Sequence, residues 1–278
     1  MVESDSFNQI TFPETPLMND YREFTIDIAR EAGNFLKERL NDEHTINYKG
    51  VIDIVTEIDQ ISEDMLISRI NKKFPYHDIL AEESSETDRG SEFRWIIDPL
   101  DGTTNYAHGY PVFCVSIALE QENQIILGVI YNPVTGEMFV AEKGRGASLN
   151  GKEIFVSNNS DLSRSLLATG FPYDIRENPD NNLNYFTEMA TKVQAIRRAG
   201  SAVLDLAYVA AGRFDGFWEL RLKPWDTAAG WLMVKEAGGT VTDIFEEDYC
   251  LKSPHILASN GKIHDKMIDV FRSCASKP

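Results

Sequence analysis

The sequence predicts an α+β fold, with helices and β-meanders in separate blocks rather than in strict βαβ alternation. Three observations carry this. Apolar residues recur at helical spacing from Leu17 to Leu40, three β-rich runs follow one another between Val112 and Ala141, and helix and strand signals mix again beyond residue 160. The chain has 278 residues, 27 Lys+Arg against 44 Asp+Glu, and 42% hydrophobic residues. That composition belongs to a folded chain with ample interior for a core. The net charge of −17 has the wrong sign for a broad basic face, so neither nucleic acid nor an anionic membrane is an expected partner.

Residues 1–16 are polar, contain Pro13 and Pro16, and read as a tail. Residues 17–278 read as one unit with a soft lobe boundary near residue 150. The first helix carries Leu17, Tyr21, Phe24, Ile28 and Phe35, and Leu40 closes it. A second carries Ile58, Ile61, Met65 and Ile70 and ends before Pro75. Arg94 to Asp98 reads as a buried strand stopped by Pro99. Val112 to Leu119, Gln124 to Tyr131 and Glu137 to Ala141 read as strands, the last two separated by the turn Asn132 to Gly136. Asn150-Gly151 marks a further hairpin. Ser201 to Ala211 is a small-residue helix ending at Gly212, and Phe214 to Leu220 a short aromatic strand. Asp226 to Ala237 is a helix closed by Gly238-Gly239. Gly239 to Asp243 and His255 to Ser259 read as strands, and a final helix begins near residue 262. Cys114, Cys250 and Cys274 show no CxxC spacing, which points to a reducing compartment rather than to disulfides or a cysteine zinc site. With no basic-then-apolar leader and no run of 18 apolar residues, the expected location is the cytoplasm.

The chemistry concentrates in carboxylates at the ends of elements. An apolar strand delivers Asp98, and Asp101, three residues on, turns back toward the same point. Gly102 permits close approach of a ligand to the backbone, and Gly102-Thr103 opens a short helix with free N–H groups. Glu82-Glu83 follows the apolar Ile79-Leu80. Asp59 and Asp226 each stand where a helix begins. Taken singly, each has a plain structural explanation: an Asp-Gly turn, a solvated Glu pair, two helix caps. Together they form an all-oxygen set that suits Mg²⁺ or Mn²⁺ and suits zinc poorly. Bound cations would also supply the positive charge that this acidic chain lacks. Cys114, inside an apolar run, reads as core rather than nucleophile, and His108 as a solvated loop residue.

These residues resemble the inositol monophosphatase family. The resemblance is carried by Asp53-x-Val-Thr-x-x-Asp59, by Glu82-Glu83-Ser84, by Trp95-x-x-Asp98-Pro-x-Asp101-Gly-Thr-x-Asn105, and by Trp225-Asp226-x-Ala-x-Gly230 followed by Glu236-Ala-Gly-Gly239. The order is the family's, from about residue 17 to about residue 270. Ala81 stands where many members have glycine. The resemblance implies a layered α-β-α-β-α sandwich, assembled as a homodimer. It implies two or three Mg²⁺ ions held by Glu82, Asp98, the Leu100 carbonyl, Asp101 and Asp226, with sensitivity to Li⁺. Thr103, with Asp59 and Glu82, would orient and help deprotonate a water, and the Gly102 and Thr103 N–H groups would hold phosphate oxygens. Ala202, Glu219 and Asp226 would line the pocket for the departing alcohol.

The expected activity is hydrolysis of a phosphorylated polyol, inositol 1-phosphate first, by direct attack of water. Fructose-1,6-bisphosphatase, histidinol-phosphate phosphatase and 3′-phosphoadenosine phosphatase activities share the metal motifs and stay open. For a second phosphate, Arg197, Arg198, Arg221 and Lys223 are candidates. A regulatory protein partner built on the same fold is the alternative from another class.

Overall fold

The computed structural model describes residues 16–42, 44–50 and 53–275. Apart from Pro16, the predicted tail lies outside them. Helix α1 (Pro16–Arg39) leads into a short antiparallel hairpin, β1 (Ile46–Tyr48) and β2 (Ile54–Thr56), and then α2 (Glu57–Lys73). Next come β3 (Asp78–Ala81), β4 (Phe93–Asp101) and α3 (Thr103–Ala107). A meander follows: β5 (Cys114–Gln121), β6 (Gln124–Asn132), β7 (Glu137–Glu142), β8 (Gly146–Leu149) and β9 (Lys152–Ile154). The remainder comprises β10 (Leu166–Thr169), α4 (Leu183–Ala190), β11 (Ala195–Arg197), α5 (Ala202–Ala210), β12 (Gly216–Leu220), α6 (Pro224–Glu236), β13 (Thr240–Thr242), β14 (His255–Ser259) and α7 (His264–Ala275).

Two sheets result. Strands β3 to β9 form a seven-stranded sheet in chain order, in which only the β3–β4 pair is parallel. The second sheet has the order β11-β10-β12-β14-β13. Successive side chains on a strand face opposite sides, so one strand serves two cores. On β4, Trp95 and Ile97 pack with Tyr21 and Phe24 of α1 and Leu66 and Ile70 of α2, whereas Ile96 packs with Leu206 of α5 and Met233 of α6. On β12, Phe217 joins that second core, while Trp218 and Leu220 pack with Tyr185 of α4 and Phe271 of α7. The order of layers is therefore α1/α2, large sheet, α5/α6, small sheet, α4/α7, the α-β-α-β-α sandwich. The middle helices lie close: a Cβ on Gly230 would stand 2.6 Å from Leu206 Cβ.

Local differences from the sequence reading have physical causes. Pro99 does not end its strand. Asp98 pairs with Ser116 and Asp101 with Cys114, three residues against two, so the proline lies in a β-bulge inside β4. Helix α6 begins at Pro224 rather than Asp226, because proline is well suited to the first helical position. Ile61, expected inward, is 42% exposed; α2 instead buries Asp59, Ser62 and Glu63 beside its apolar residues. Val112 precedes its strand rather than starting it.

Candidate active site

The acidic side chains are delivered by four separate local structures. Strand β3 runs parallel to β4 with Ala81 opposite Ile97, so Glu82 emerges beside Asp98 at the same end of the sheet. Asp98 is 1% exposed, and its carboxylate accepts the Leu100 N–H at 3.0 Å, closing the turn of the bulge. The extra residue there matters. Asp98 shares the face of Ile96, and Asp101 also faces α5, where it accepts the Val203 N–H at 2.9 Å and a short hydrogen bond from Ser201. Asp226 sits in the first turn of α6 and accepts the Lys223 N–H at 2.7 Å.

The Asp59 capping role is real, and it is half of what Asp59 does. One carboxylate oxygen takes the Thr56 N–H at 2.9 Å and the Thr56 hydroxyl at 2.6 Å. The other accepts the Thr103 hydroxyl at 2.8 Å, a bond spanning 44 residues; the same hydroxyl lies 3.1 Å from the Leu100 carbonyl. Thr103 follows Gly102, whose φ of +101° is a left-handed conformation that favours glycine. Glu82 is not joined to Thr103. It is held by Lys49, from the β1–β2 turn, at 3.2 Å, and Glu83 by the same ammonium at 2.5 Å.

Electrostatically, these groups are one cluster. Burial pushes Glu82 up to about 7 and Asp101 up to about 6. Burial, followed by the charges of Glu82, Asp101 and Asp226, holds Asp98 well above the ordinary carboxylate range. Asp226 is raised by burial and then by Glu82. Such a set of oxygen donors, short of positive charge, fits a hard divalent cation in kind. Among the described residues, no three acidic, histidine or cysteine side chains form a ready-made ligand shell. Protein donors occupy an oxygen on Asp98, Asp101 and Asp226, and Lys49 draws on Glu82.

Where the sequence resemblance implies an alcohol pocket, Ser201 caps α5 and Ala202 opens it. Glu219 on β12 is buried against Gly170, where a Cβ would come within 2.0 Å of Oε1. Burial and the charge of Asp101 raise Glu219 to about 8, opposed by Arg198. Arg221 is paired with Asp174 at 2.6 Å. His108 is exposed and Cys114 buried, as read from the sequence. Several residues at the site escaped that reading. Lys49 and Gly170 carry no local signal. Asp205, 1% exposed on α5 with an unpartnered Oδ1, and Glu63, which accepts the Glu83 N–H at 2.8 Å, interrupt apolar helix faces; that interruption is the clue.

Residues 17–276 match the inositol monophosphatase family. A protein of Pseudomonas aeruginosa named Nus factor SuhB is 44% identical over 265 residues, covering 92% of this chain and 96% of that one. An inositol-1-monophosphatase of Synechocystis sp. is 47% identical over 216 residues, 77% of this chain and 75% of its own length. The solved inositol monophosphatase of Anabaena (Nostoc) sp. superposes with a TM-score of 0.85 at 43% identity, over 92% of this chain and 97% of the other. With the sandwich, the four acidic segments and these matches all running through the same residues, the chain belongs to the inositol monophosphatase family.

Proposed function

We propose that the chain is a Mg²⁺-dependent phosphate monoesterase that hydrolyses inositol 1-phosphate to myo-inositol and phosphate by direct attack of water. The convergence of Glu82, Asp98, Asp101 and Asp226 beside the Thr103–Asp59 pair carries this reading. Glu82, Asp98, Asp101, Asp226 and the Leu100 carbonyl are the residues that would hold two or three Mg²⁺ ions. Bound cations would lower the pKa of the attacking water and offset charge on the departing alkoxide.

The chain's own groups do the rest. The Thr103 hydroxyl has its proton committed to Asp59, which leaves its lone pairs to accept a hydrogen from the attacking water and fix its direction. Asp59 is the onward proton acceptor. Backbone N–H groups of Gly102 and Thr103, in the first turn of α3, face no helical carbonyl and hold phosphate oxygens. Ala202, Glu219 and Asp226 line the alcohol, and Glu219 accepts hydrogen bonds from its hydroxyls. A homodimer belongs to the same proposal and is read by light scattering. The test is phosphate release with Mg²⁺ from inositol 1-phosphate, fructose 1,6-bisphosphate, histidinol phosphate and 3′-phosphoadenosine 5′-phosphate. Preference for any of the last three would replace the substrate named here.

The Nus factor name of the Pseudomonas relative favours a second reading, a regulatory protein-binding role alongside hydrolysis. Capture of a transcription-complex partner by the Asp98→Asn variant as well as by wild type would separate that surface from the catalytic centre.

A further inference from the structure

Helix α2 buries a stripe at helical spacing, Asp59, Ser62, Glu63, Leu66 and Ile70. The stripe changes character halfway along. Leu66 and Ile70 pack with Trp95 and Ile97 of β4, whereas the three residues before them are polar and no more than 2% exposed. Burying polar groups on the first two turns is costly unless each finds a partner. Each does, and each on a different segment of the site. Asp59 accepts the Thr103 hydroxyl at 2.8 Å, at the start of α3. Ser62 donates to the Pro99 carbonyl at 3.1 Å, inside the β4 bulge. Glu63 accepts the Glu83 N–H at 2.8 Å, just past β3.

These partners are the chain neighbours of the groups read as cation ligands. Glu83 follows Glu82, and Pro99 lies between Asp98 and Leu100. Both segments are under load. Lys49 draws on Glu82 and Glu83 from the β1–β2 turn, at 3.2 and 2.5 Å, and Glu82, Asp101 and Asp226 repel Asp98. Helix α2 can resist this, because the apolar half of its stripe is packed against β4. We propose that Ser62 and Glu63 are positioning residues for the cation site: one helix face sets the spacing between the Glu82 segment and the Pro99-Leu100 bulge before a cation arrives. The inference deepens the cation reading of the acidic cluster and rests on it. Glu63 acts through an acceptor oxygen, which a glutamine also supplies.

The experiment titrates Mg²⁺ calorimetrically into wild type, Glu63→Ala, Glu63→Gln and Ser62→Ala, with melts in EDTA to establish that each is folded. Release of phosphate from p-nitrophenyl phosphate is followed over a Mg²⁺ series. Glu63→Ala should weaken Mg²⁺ affinity about tenfold and Ser62→Ala about fivefold, each losing one buried hydrogen bond. Glu63→Gln should stay within about twofold of wild type, because the acceptor is kept. At saturating Mg²⁺ every kcat should return to within about twofold of wild type, since neither residue is placed on the reacting atoms. Should Glu63→Ala not fold, Ser62→Ala, which removes a single oxygen, carries the test. Wild-type Mg²⁺ affinity in either folded alanine variant overturns the inference. So does an equal loss in Glu63→Gln and Glu63→Ala, which would assign the effect to charge. A wild type that binds no Mg²⁺ fails the cation reading itself and takes the inference with it, a result distinct from alanine variants that bind as tightly as a binding wild type.

Discussion

The Asp101 carboxylate accepts the Val203 N–H at 2.9 Å, so a residue of the acidic cluster also caps helix α5. Through that bond the β4 bulge fixes where α5 begins, and with it the position of Ala202 and of Asp205 one turn further on. The proposed cation side and the proposed alcohol side are thus built on one hydrogen-bonded unit. Loss of the Asp101 carboxylate would disturb both.

Cation binding should be visible in stability as well as in activity. Mg²⁺ should raise Tm in a concentration-dependent manner, because it relieves repulsion that the apo fold carries, by about 2.7 kcal/mol at a hundredfold excess over Kd. EDTA should abolish phosphate release and return Tm to the apo value. Full turnover in metal-free buffer would refute the all-carboxylate site.

Asp98→Asn should remove turnover and leave the apo protein as stable or more so, by about 0.5–2 kcal/mol. Asp98 is buried and repelled by Glu82, Asp101 and Asp226, so its charge opposes folding. Circular dichroism melts set against kcat decide the point: activity loss that merely tracks unfolding contradicts it.

In EDTA, stability should fall as pH rises from about 4 to about 8. Asp101, Glu82 and Glu219 are raised to about 6, about 7 and about 8, so across this window the folded state binds more protons than the unfolded chain. Stability therefore declines with pH and levels off above the last folded value. Saturating Mg²⁺ should flatten the slope, since a bound cation favours the ionised carboxylates. Denaturant titrations at pH 5, 6, 7 and 8 with and without metal read the difference.

Glu219→Gln should lower kcat/KM for inositol 1-phosphate by about tenfold to a hundredfold, from ~1–3 kcal/mol of unpaired donors. It should spare p-nitrophenyl phosphate, whose leaving group lacks those hydroxyls. The gap should widen as pH rises toward 8, because Glu219 gains its charge there and Gln does not. Gly170→Ala should imitate the variant, since its Cβ would displace the same carboxylate. Equal losses on both substrates would place Glu219 in the chemistry instead.

The parts of the fold legible in the sequence were those written in one period. Ile117 to Leu119 and Leu127 to Ile130 alternate faces between two cores, and the strands emerge close to their predicted bounds. Which sheet faced which helix pair was not legible, because Ile96 and Ile97 look alike in sequence and only their neighbours assign them to different cores. Asp59 illustrates the same limit within the site. Its cap on Thr56 is a local fact, whereas its bond to Thr103 depends on 44 residues folding back. Lys49 reaches the cluster from a hairpin whose sequence shows no catalytic pattern.

The bulge in β4 protects length more than identity. Residues three apart on a regular strand point to opposite faces, and only the inserted residue between Asp98 and Asp101 brings both onto the α5 side. Deleting one residue there would remove no acidic group, yet it would restore an unbroken ladder. Asp101 would then stand two residues from Asp98, still on the α5 side, but the turn that the Leu100 N–H closes onto the Asp98 carboxylate would be lost. At this point the protein should forgive many substitutions at Pro99 sooner than a single lost codon.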